Sequence, residues 1–131
     1  MTDQKLLTIA IGVAKKAYAP YSKFLVGAAL VTKDGRVFEG CNVENISFGL
    51  TICAERNAVF AAVAAGCRDF EKIVIAVDTA EPASPCGACR QVLAEFNPDM
   101  KVILGTFGGK MVGYHISELL PHPCEGILER R

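Results

Sequence analysis

Three cysteines and one glutamate are spaced so that they could form a catalytic metal site. Cys53 stands two residues before Glu55, and about thirty residues later Cys86 and Cys89 form a Pro-Cys-x-x-Cys stretch. A zinc site with three protein ligands leaves its fourth position for water. Zinc lowers the pKa of that water toward ~7, so that hydroxide forms at neutral pH. The spacing predicts zinc on the three cysteines, with Glu55 beside the water as a proton shuttle.

Two other interpretations of these cysteines stay open at this point. A Cys-x-x-Cys pair alone also occurs as a redox motif, although such motifs do not require a distant Cys-x-Glu. A closed structural zinc site would need a fourth ligand. A cysteine remote in sequence could supply it, and the candidates are Cys41, Cys67 and Cys124. Since none of them has ligand-like spacing, we expect them to pack as small hydrophobic side chains.

The composition describes a globular chain without electrostatic bias. Of its 131 residues 51% are hydrophobic and 21% charged, with 14 basic and 14 acidic side chains. Nucleic-acid-binding domains usually cluster Lys and Arg, so this balance weighs against a nucleic-acid partner. The amino terminus lacks the layout of a signal peptide, and the apolar runs are too short to span a bilayer. We expect a cytoplasmic protein with reduced thiols and no membrane partner, forming one domain over residues 1–131.

Hydrophobic periodicity predicts the element order α-β-β-α-β-α-β-β, followed by a short last helix. Asp34-Gly35 predicts a hairpin turn between the first two strands, and Gly66 predicts the end of the second helix. This order is typical of an α/β fold in which a mixed sheet lies between helical layers. The predicted helices cover residues 3–17, 52–65, 86–96 and 117–120, and the predicted strands cover 24–31, 37–43, 72–77, 102–104 and 111–115.

The predicted elements place the three thiols together. Cys53 begins one helix, and Cys86 and Cys89 begin the next, three residues apart and therefore on one helical face. Helix starts that follow the carboxyl ends of strands meet at one edge of an open α/β sheet, where sites form. Unpaired amides at these starts make the local potential positive, which lowers thiol pKa values and favours thiolate ligands.

Further stretches match one family over nearly the whole length. They are residues 18–29 (Tyr-Ala-Pro-Tyr-Ser-Lys-Phe-x-Val-Gly-Ala-Ala), 40–45 (Gly-Cys-Asn-Val-Glu-Asn), 53–56 (Cys-Ala-Glu-Arg), 84–91 (Ser-Pro-Cys-Gly-Ala-Cys-Arg-Gln) and 118–121 (Glu-Leu-Leu-Pro). With these stretches the chain resembles the small homotetrameric cytidine deaminases of nucleoside salvage, in the cytidine and deoxycytidylate deaminase superfamily. The zinc pattern alone would also fit guanine, deoxycytidylate, transfer-RNA or antibiotic deaminases.

The resemblance implies a fold and a reaction. The fold would have three α-β-α layers, with helices on both faces of a mixed five-stranded sheet. One zinc ion per chain, on Cys53, Cys86 and Cys89, would supply the hydroxide that converts cytidine and 2′-deoxycytidine to uridine and 2′-deoxyuridine plus ammonia. Glu55 would move protons from the water to ring N3 and to the leaving ammonia. Arg56 would offset the negative charge of the thiolates, since an arginine is always charged and can donate two hydrogen bonds.

The resemblance also implies substrate contacts. Asn42 and Glu44 would grip the ribose hydroxyls, and Phe24 would stack on the pyrimidine. The Ala54 amide and the Ser84 carbonyl would read the base edge through the backbone. Without the resemblance, the alternating pattern fits Phe24 equally well as a core residue of a strand. The segment with Asn42 and Glu44 would then be interpreted as a polar turn after a strand.

The resemblance further implies a homotetramer with sites at subunit interfaces, although two positions of this chain depart from the family's pattern. Phe48 stands where many relatives contribute a tyrosine across the interface, so that hydroxyl contact is absent. His122-Pro123-Cys124 follows Leu-Leu-Pro where relatives usually carry an aromatic residue that closes over a neighbour's site.

Two other functions are open on the sequence alone. The chain could deaminate an aminonucleoside antibiotic such as blasticidin S, against which the motif Asn42-Val-Glu44-Asn45 argues. It could instead be a non-catalytic, zinc-stabilised binding module, but that interpretation leaves Glu55 unexplained.

Overall fold

The computed structural model describes residues 1–123, and its elements follow the predicted order. The helices are α1 (Asp3–Ala14), α2 (Ala54–Ala64), α3 (Gly87–Phe96) and α4 (Ile116–Leu119), and the strands are β1 (Val26–Thr32), β2 (Val37–Cys41), β3 (Phe70–Val77), β4 (Lys101–Thr106) and β5 (Met111–His115). A turn of 3₁₀ helix at Phe48–Leu50 was not predicted. Within residues 1–123, no helix is long and apolar enough to cross a membrane.

The five strands form one mixed sheet in the order β2-β1-β3-β4-β5. β3 and β4 are parallel, and the other neighbouring pairs are antiparallel. A parallel pair requires a long crossover, and α3 lies in the connection between β3 and β4. β1 and β2 are joined by the predicted hairpin, where Gly35 has a φ of +91°. Glycine adopts that left-handed conformation without steric cost, which explains its place in the turn.

Helices cover both faces of the sheet, as the predicted three-layer fold requires. On one face α1 packs against the strands in a cluster that includes Leu6, Leu7, Ala10, Ala29, Val74 and Ile103. On the other face α2, α3 and α4 bury a larger cluster that includes Ala58, Val59, Ile73, Leu93, Leu104 and Ile116. Burial of both faces accounts for the continuous apolar runs of β1, β3 and β4.

β2 and α2 approach each other closely at Gly40. A Cβ atom at this position would overlap the Ala54 carbonyl oxygen and the Ala58 amide nitrogen, and it would lie 3.0 Å from the Ala58 Cα. All three are backbone atoms, so no side-chain rotation could relieve the overlap. The absence of a side chain at Gly40 therefore allows the first turn of α2 to lie directly against the sheet.

Several predicted boundaries are wrong, because tertiary hydrogen bonds take the chain out of its local pattern. The first helix was predicted to reach residue 17 but ends at Ala14, since the Tyr18 amide donates to the Asn42 carbonyl and the Glu44 amide to the Tyr18 carbonyl. β1 begins at Val26 instead of residue 24, and β2 ends at Cys41 instead of residue 43. β5 (Met111–His115) has its predicted bounds, and the remaining elements differ from theirs by one or two residues at one or both ends.

Candidate active site

Cys53, Cys86 and Cys89 bring their sulfurs together between the starts of α2 and α3. Cys53 and Cys86 are the N-cap residues of these helices, and Cys89 lies in the first turn of α3. The three Sγ atoms lie within 4.8 Å of one another, and those of Cys53 and Cys86 are 3.8 Å apart. Two sulfurs at ~2.3 Å from a tetrahedral zinc ion would be separated by about 3.8 Å. The thiol cluster therefore has the donor type and spacing of a zinc site.

The other cysteines do not extend this cluster in the part of the chain that the structure describes. Over residues 1–123 the metal-capable group contains three cysteines and no fourth ligand. Cys41 lies in β2, where burial raises its pKa, and Cys67 packs in the core beneath α2. Cys124 lies outside the described residues. The described donors therefore form the three-ligand set of a catalytic site, which leaves a coordination position for water.

Hydrogen bonds divide the charge within the cluster. The pKa of the Cys53 thiol is lowered to about 5, first by the hydrogen bond from Cys89 and then by those from Arg56 and Cys86. The same bond raises the pKa of Cys89, which keeps its proton longer. Arg56 Nη2 donates to Cys53 Sγ at 3.4 Å, and this contact raises the arginine's own pKa. A fixed cation thus lies directly against the sulfur that ionises first.

Glu55 lies in the first turn of α2 and is only 5% exposed. Burial disfavours its charged form and is the main reason why its pKa is raised to about 7. A carboxyl group with a pKa near 7 is present in both protonation states at neutral pH, so it can accept a proton and return it. Glu55 lines the same cavity as Cys53 and Cys86.

The predicted substrate residues line this cavity, whose volume is about 260 Å³. They are Phe24, Asn42, Glu44, Ala54 and Ser84. Phe24 lies two residues before β1 begins, so the alternative interpretation as a core residue of a strand is wrong. Phe48 also lines the cavity and is 74% exposed.

Asn42 and Glu44 are buried, and both hold the segment before β1. Asn42 Oδ1 accepts a hydrogen bond from the Val26 amide at 2.9 Å, and its Nδ2 donates to the Phe24 carbonyl at 2.7 Å. Glu44 accepts from two backbone amides and from the Ser22 hydroxyl. These hydrogen bonds lower the pKa of Glu44, and the bond from the Ser22 hydroxyl contributes most. Glu44 is therefore a carboxylate at neutral pH. The two residues are therefore more than a polar turn.

Two residues of this region were not singled out by sequence reasoning. Ser22 contacts both Glu44 and the Phe24 amide. Its signal in the sequence is weak, because serine hydroxyls often bond an amide two residues ahead. Arg90 donates from Nε to the Pro85 carbonyl at 2.8 Å and from Nη1 to the Leu119 carbonyl at 3.0 Å. It thus ties the loop before α3 to α4, a contact between segments remote in sequence.

Comparison with known proteins was consistent with this geometry. The model of the cytidine and deoxycytidylate deaminase zinc-binding region matches residues 1–106. The cytidine deaminase of Halalkalibacterium halodurans is 52% identical over 122 residues, which are 92% of each chain. The crystal structure of cytidine deaminase from Burkholderia pseudomallei has a TM-score of 0.90 and 50% identity, and covers 93% of this chain and 98% of its own. A blasticidin-S deaminase of Bacillus cereus is 36% identical over 76% of each chain.

Proposed function

Because this chain belongs to the cytidine and deoxycytidylate deaminase family, we propose that it hydrolyses cytidine and 2′-deoxycytidine to uridine and 2′-deoxyuridine, releasing ammonia, in nucleoside salvage. The chain is a zinc-dependent deaminase by its family and by its 52% identity to a cytidine deaminase. The observation that carries the specific reaction is the buried Glu55, which shares one cavity with the thiol cluster.

Cys53, Cys86 and Cys89 hold one zinc ion per chain. Bound there, zinc supplies a water activated for attack on ring carbon C4 at neutral pH. The amides at the starts of α2 and α3 and the guanidinium of Arg56 stabilise the thiolates. Without such compensation, three thiolates around one dication would carry a net negative charge and weaken its action as a Lewis acid.

Glu55 carries the protons of the reaction. It accepts one proton from the attacking water and gives it to ring N3, and it then takes the proton of the hydroxyl group added at C4 and gives it to the amine, which leaves as ammonia while C4 becomes a carbonyl. One carboxyl group can serve these transfers because ring N3 and C4, which carries the amine, are neighbouring atoms of the pyrimidine. Its burial keeps competing bulk water away from the carboxyl.

The cavity walls orient the nucleoside. Phe24 stacks on the base, and Asn42 and Glu44 hold the ribose hydroxyls. The Ala54 amide belongs to the first residue of α2 and has no acceptor within that helix, so it is available to the base edge. The Ser84 carbonyl, in the loop before α3, accepts a hydrogen bond from the base edge.

We further infer a homotetramer whose sites lie at subunit interfaces, in a cytoplasmic protein that forms one domain over residues 1–131. Large exposed apolar side chains in the segment that contributes Phe48 to the cavity support the assembly: Ile46 is 85% exposed, Phe48 74% and Leu50 64%. Clusters of this kind are typical of contact surfaces. In the assembly Phe48 provides an apolar ring where relatives provide a tyrosine.

The experiment offers a panel of substrates to zinc-replete protein and monitors each reaction by the change in absorbance of the cytosine ring. Cytidine and deoxycytidine should be turned over, whereas cytosine, deoxycytidylate and blasticidin S should react far more slowly. Preference for blasticidin S would instead establish an antibiotic deaminase, the second candidate function, which is considered because the Bacillus cereus blasticidin-S deaminase is 36% identical to this chain. Zinc binding without turnover of any substrate in the panel would instead indicate a non-catalytic binding module, a function that does not require the buried Glu55.

A further inference from the structure

Ser22 is bonded to both walls of the substrate cavity. Its Oγ donates a hydrogen bond to Glu44 Oε2 and accepts one from the Phe24 amide at 3.0 Å. Its backbone amide donates to Glu44 Oε1 at 3.1 Å. Glu44 lies after β2, whereas Phe24 lies before β1. One hydroxyl group therefore connects the proposed ribose ligand with the proposed base-stacking ring.

The hydrogen bonds of Glu44 leave little freedom for its carboxylate. Oε1 accepts from the amides of Tyr21 (3.0 Å) and Ser22 (3.1 Å), and Oε2 accepts from the Ser22 hydroxyl. A carboxylate has about four lone-pair sites, and three are occupied here. The remaining one is on Oε2, so the Ser22 hydroxyl decides in which direction Glu44 can accept a ribose hydroxyl.

The backbone between Ser22 and Phe24 also needs support. Lys23 has a φ of +60°, in the left-handed region that side chains with a Cβ rarely adopt. Its amide donates to the Ala19 carbonyl at 3.1 Å. The bond from the Phe24 amide to Ser22 Oγ spans this residue and keeps the turn closed. The turn brings Phe24 to the cavity instead of extending β1 by two residues.

We propose that Ser22 is a positioning residue that aligns base stacking with ribose binding. The proposal rests on the proposed function, since it takes Phe24 and Glu44 as the nucleoside contacts. Asn42 still holds the Phe24 carbonyl when the hydroxyl is absent. Loss of the hydroxyl therefore releases mainly the carboxylate and the Phe24 amide, without unfolding the segment.

The first test compares Ser22→Ala with Ser22→Thr. Phe24 and Glu44 contact the nucleoside throughout the reaction, so Ser22→Ala should raise KM for cytidine about tenfold, the size of one lost charge-assisted hydrogen bond, with kcat changed less than about threefold. Ser22→Thr keeps the hydroxyl at an exposed position and should have a KM within about twofold of wild type. Ser117→Ala, an exposed serine on α4 outside the cavity, is the matched control.

A merely structural role would give a different pattern. Thermal midpoint and zinc content are measured for each variant, and Ser22→Ala should bind wild-type zinc. A lowered midpoint with unchanged KM would overturn the positioning role, and so would a Ser22→Thr variant as impaired as Ser22→Ala.

The second test is a double-mutant cycle, which shows whether Ser22 acts through Glu44. In a Glu44→Ala background, Ser22→Ala should change the Kd for uridine, measured by calorimetry, less than threefold, against about tenfold in wild type. Equal changes in both backgrounds would overturn the coupling. The calorimetric measurement needs no turnover, so it separates the two proposals. If wild-type protein fails to deaminate cytidine the proposed function falls, whereas the Ser22 proposal is judged by nucleoside binding.

Discussion

Gly40→Ala should loosen the metal centre although residue 40 does not contact it. A Cβ at Gly40 would overlap backbone atoms of Ala54 and Ala58, the first and fifth residues of α2. Carbon atoms pack at ~3.5–4.0 Å, so α2 has to move away from β2 by on the order of 1 Å. Overpacking of this kind lowers the free energy of unfolding by ~1–3 kcal/mol.

The displacement also separates the two halves of the site. α2 carries Cys53 and Glu55, whereas the other two ligands belong to α3. Metal–ligand distances tolerate changes of only ~0.2 Å, so a shift near 1 Å should weaken zinc binding. Misplacing reacting groups by about 1 Å costs ~10²-fold in rate, which sets the expected loss of turnover in zinc-loaded Gly40→Ala protein.

Three measurements check this reasoning: urea unfolding, zinc transfer to a chromogenic chelator, and turnover of cytidine. Gly12→Ala in α1 is the matched control, because a Cβ there meets no atom within 4 Å and Gly→Ala in a helix stabilises by ~1 kcal/mol. Gly105→Ala would press on a flexible methyl group of Leu7, on the face that α1 covers, so it should affect stability and spare zinc affinity. If Gly40→Ala unfolds and binds zinc like wild type, the close approach does not restrict α2 and the reasoning is refuted.

The remaining predictions concern protons, charge and assembly. Glu55→Gln should fold and keep zinc but lose ~10²–10⁴-fold in turnover, and a zinc-replete variant within about tenfold of wild type would contradict the proton role. Arg56→Gln removes the donor 3.4 Å from Cys53 Sγ. The electron-rich sulfurs should then weaken zinc as a Lewis acid and disfavour deprotonation of the zinc-bound water. Turnover should therefore fall, and the ascending limb of the pH–rate profile should move to higher pH. An unchanged pH–rate profile would show that groups other than Arg56 offset the negative charge of the thiolates. Light scattering of active protein should give the mass of four chains, whereas the mass of one chain would contradict shared sites.

The sequence predicted the family, the order of the elements and the layers of the fold, all of which are confirmed. These features depend on local patterns: apolar periodicity, glycine stops, and motifs of a few residues. The starts of α2 and α3 could be placed within two residues, because Cys53 and Cys86 precede clear helical patterns. The prediction that both helix starts lie at the same edge of the sheet then followed from the order of strands and helices.

Features that depend on contacts between remote segments could not be predicted in the same way. Nothing near Ala14 indicates that the chain leaves the helix there, because the cause is the pairing of Tyr18 with the segment after β2. Lys23 gives no sign of its left-handed conformation, since lysine rarely adopts it. The bonds of Asn42 and Glu44 to residues 21–26 are likewise long-range, so their role in holding Phe24 was missed.

The hairpin at Asp34-Gly35 offers a place to modify this deaminase for practical use. β1 leaves the cavity at Val26 and reaches the hairpin after Thr32, and six steps of ~3.3 Å along a strand amount to about 20 Å. The space beside Gly35 is open. Exposed loop tips are the positions where proteins accept insertions best. A peptide tag or fluorophore attachment site inserted between Asp34 and Gly35 would let the enzyme be immobilised or tracked while its catalytic end of the sheet stays untouched.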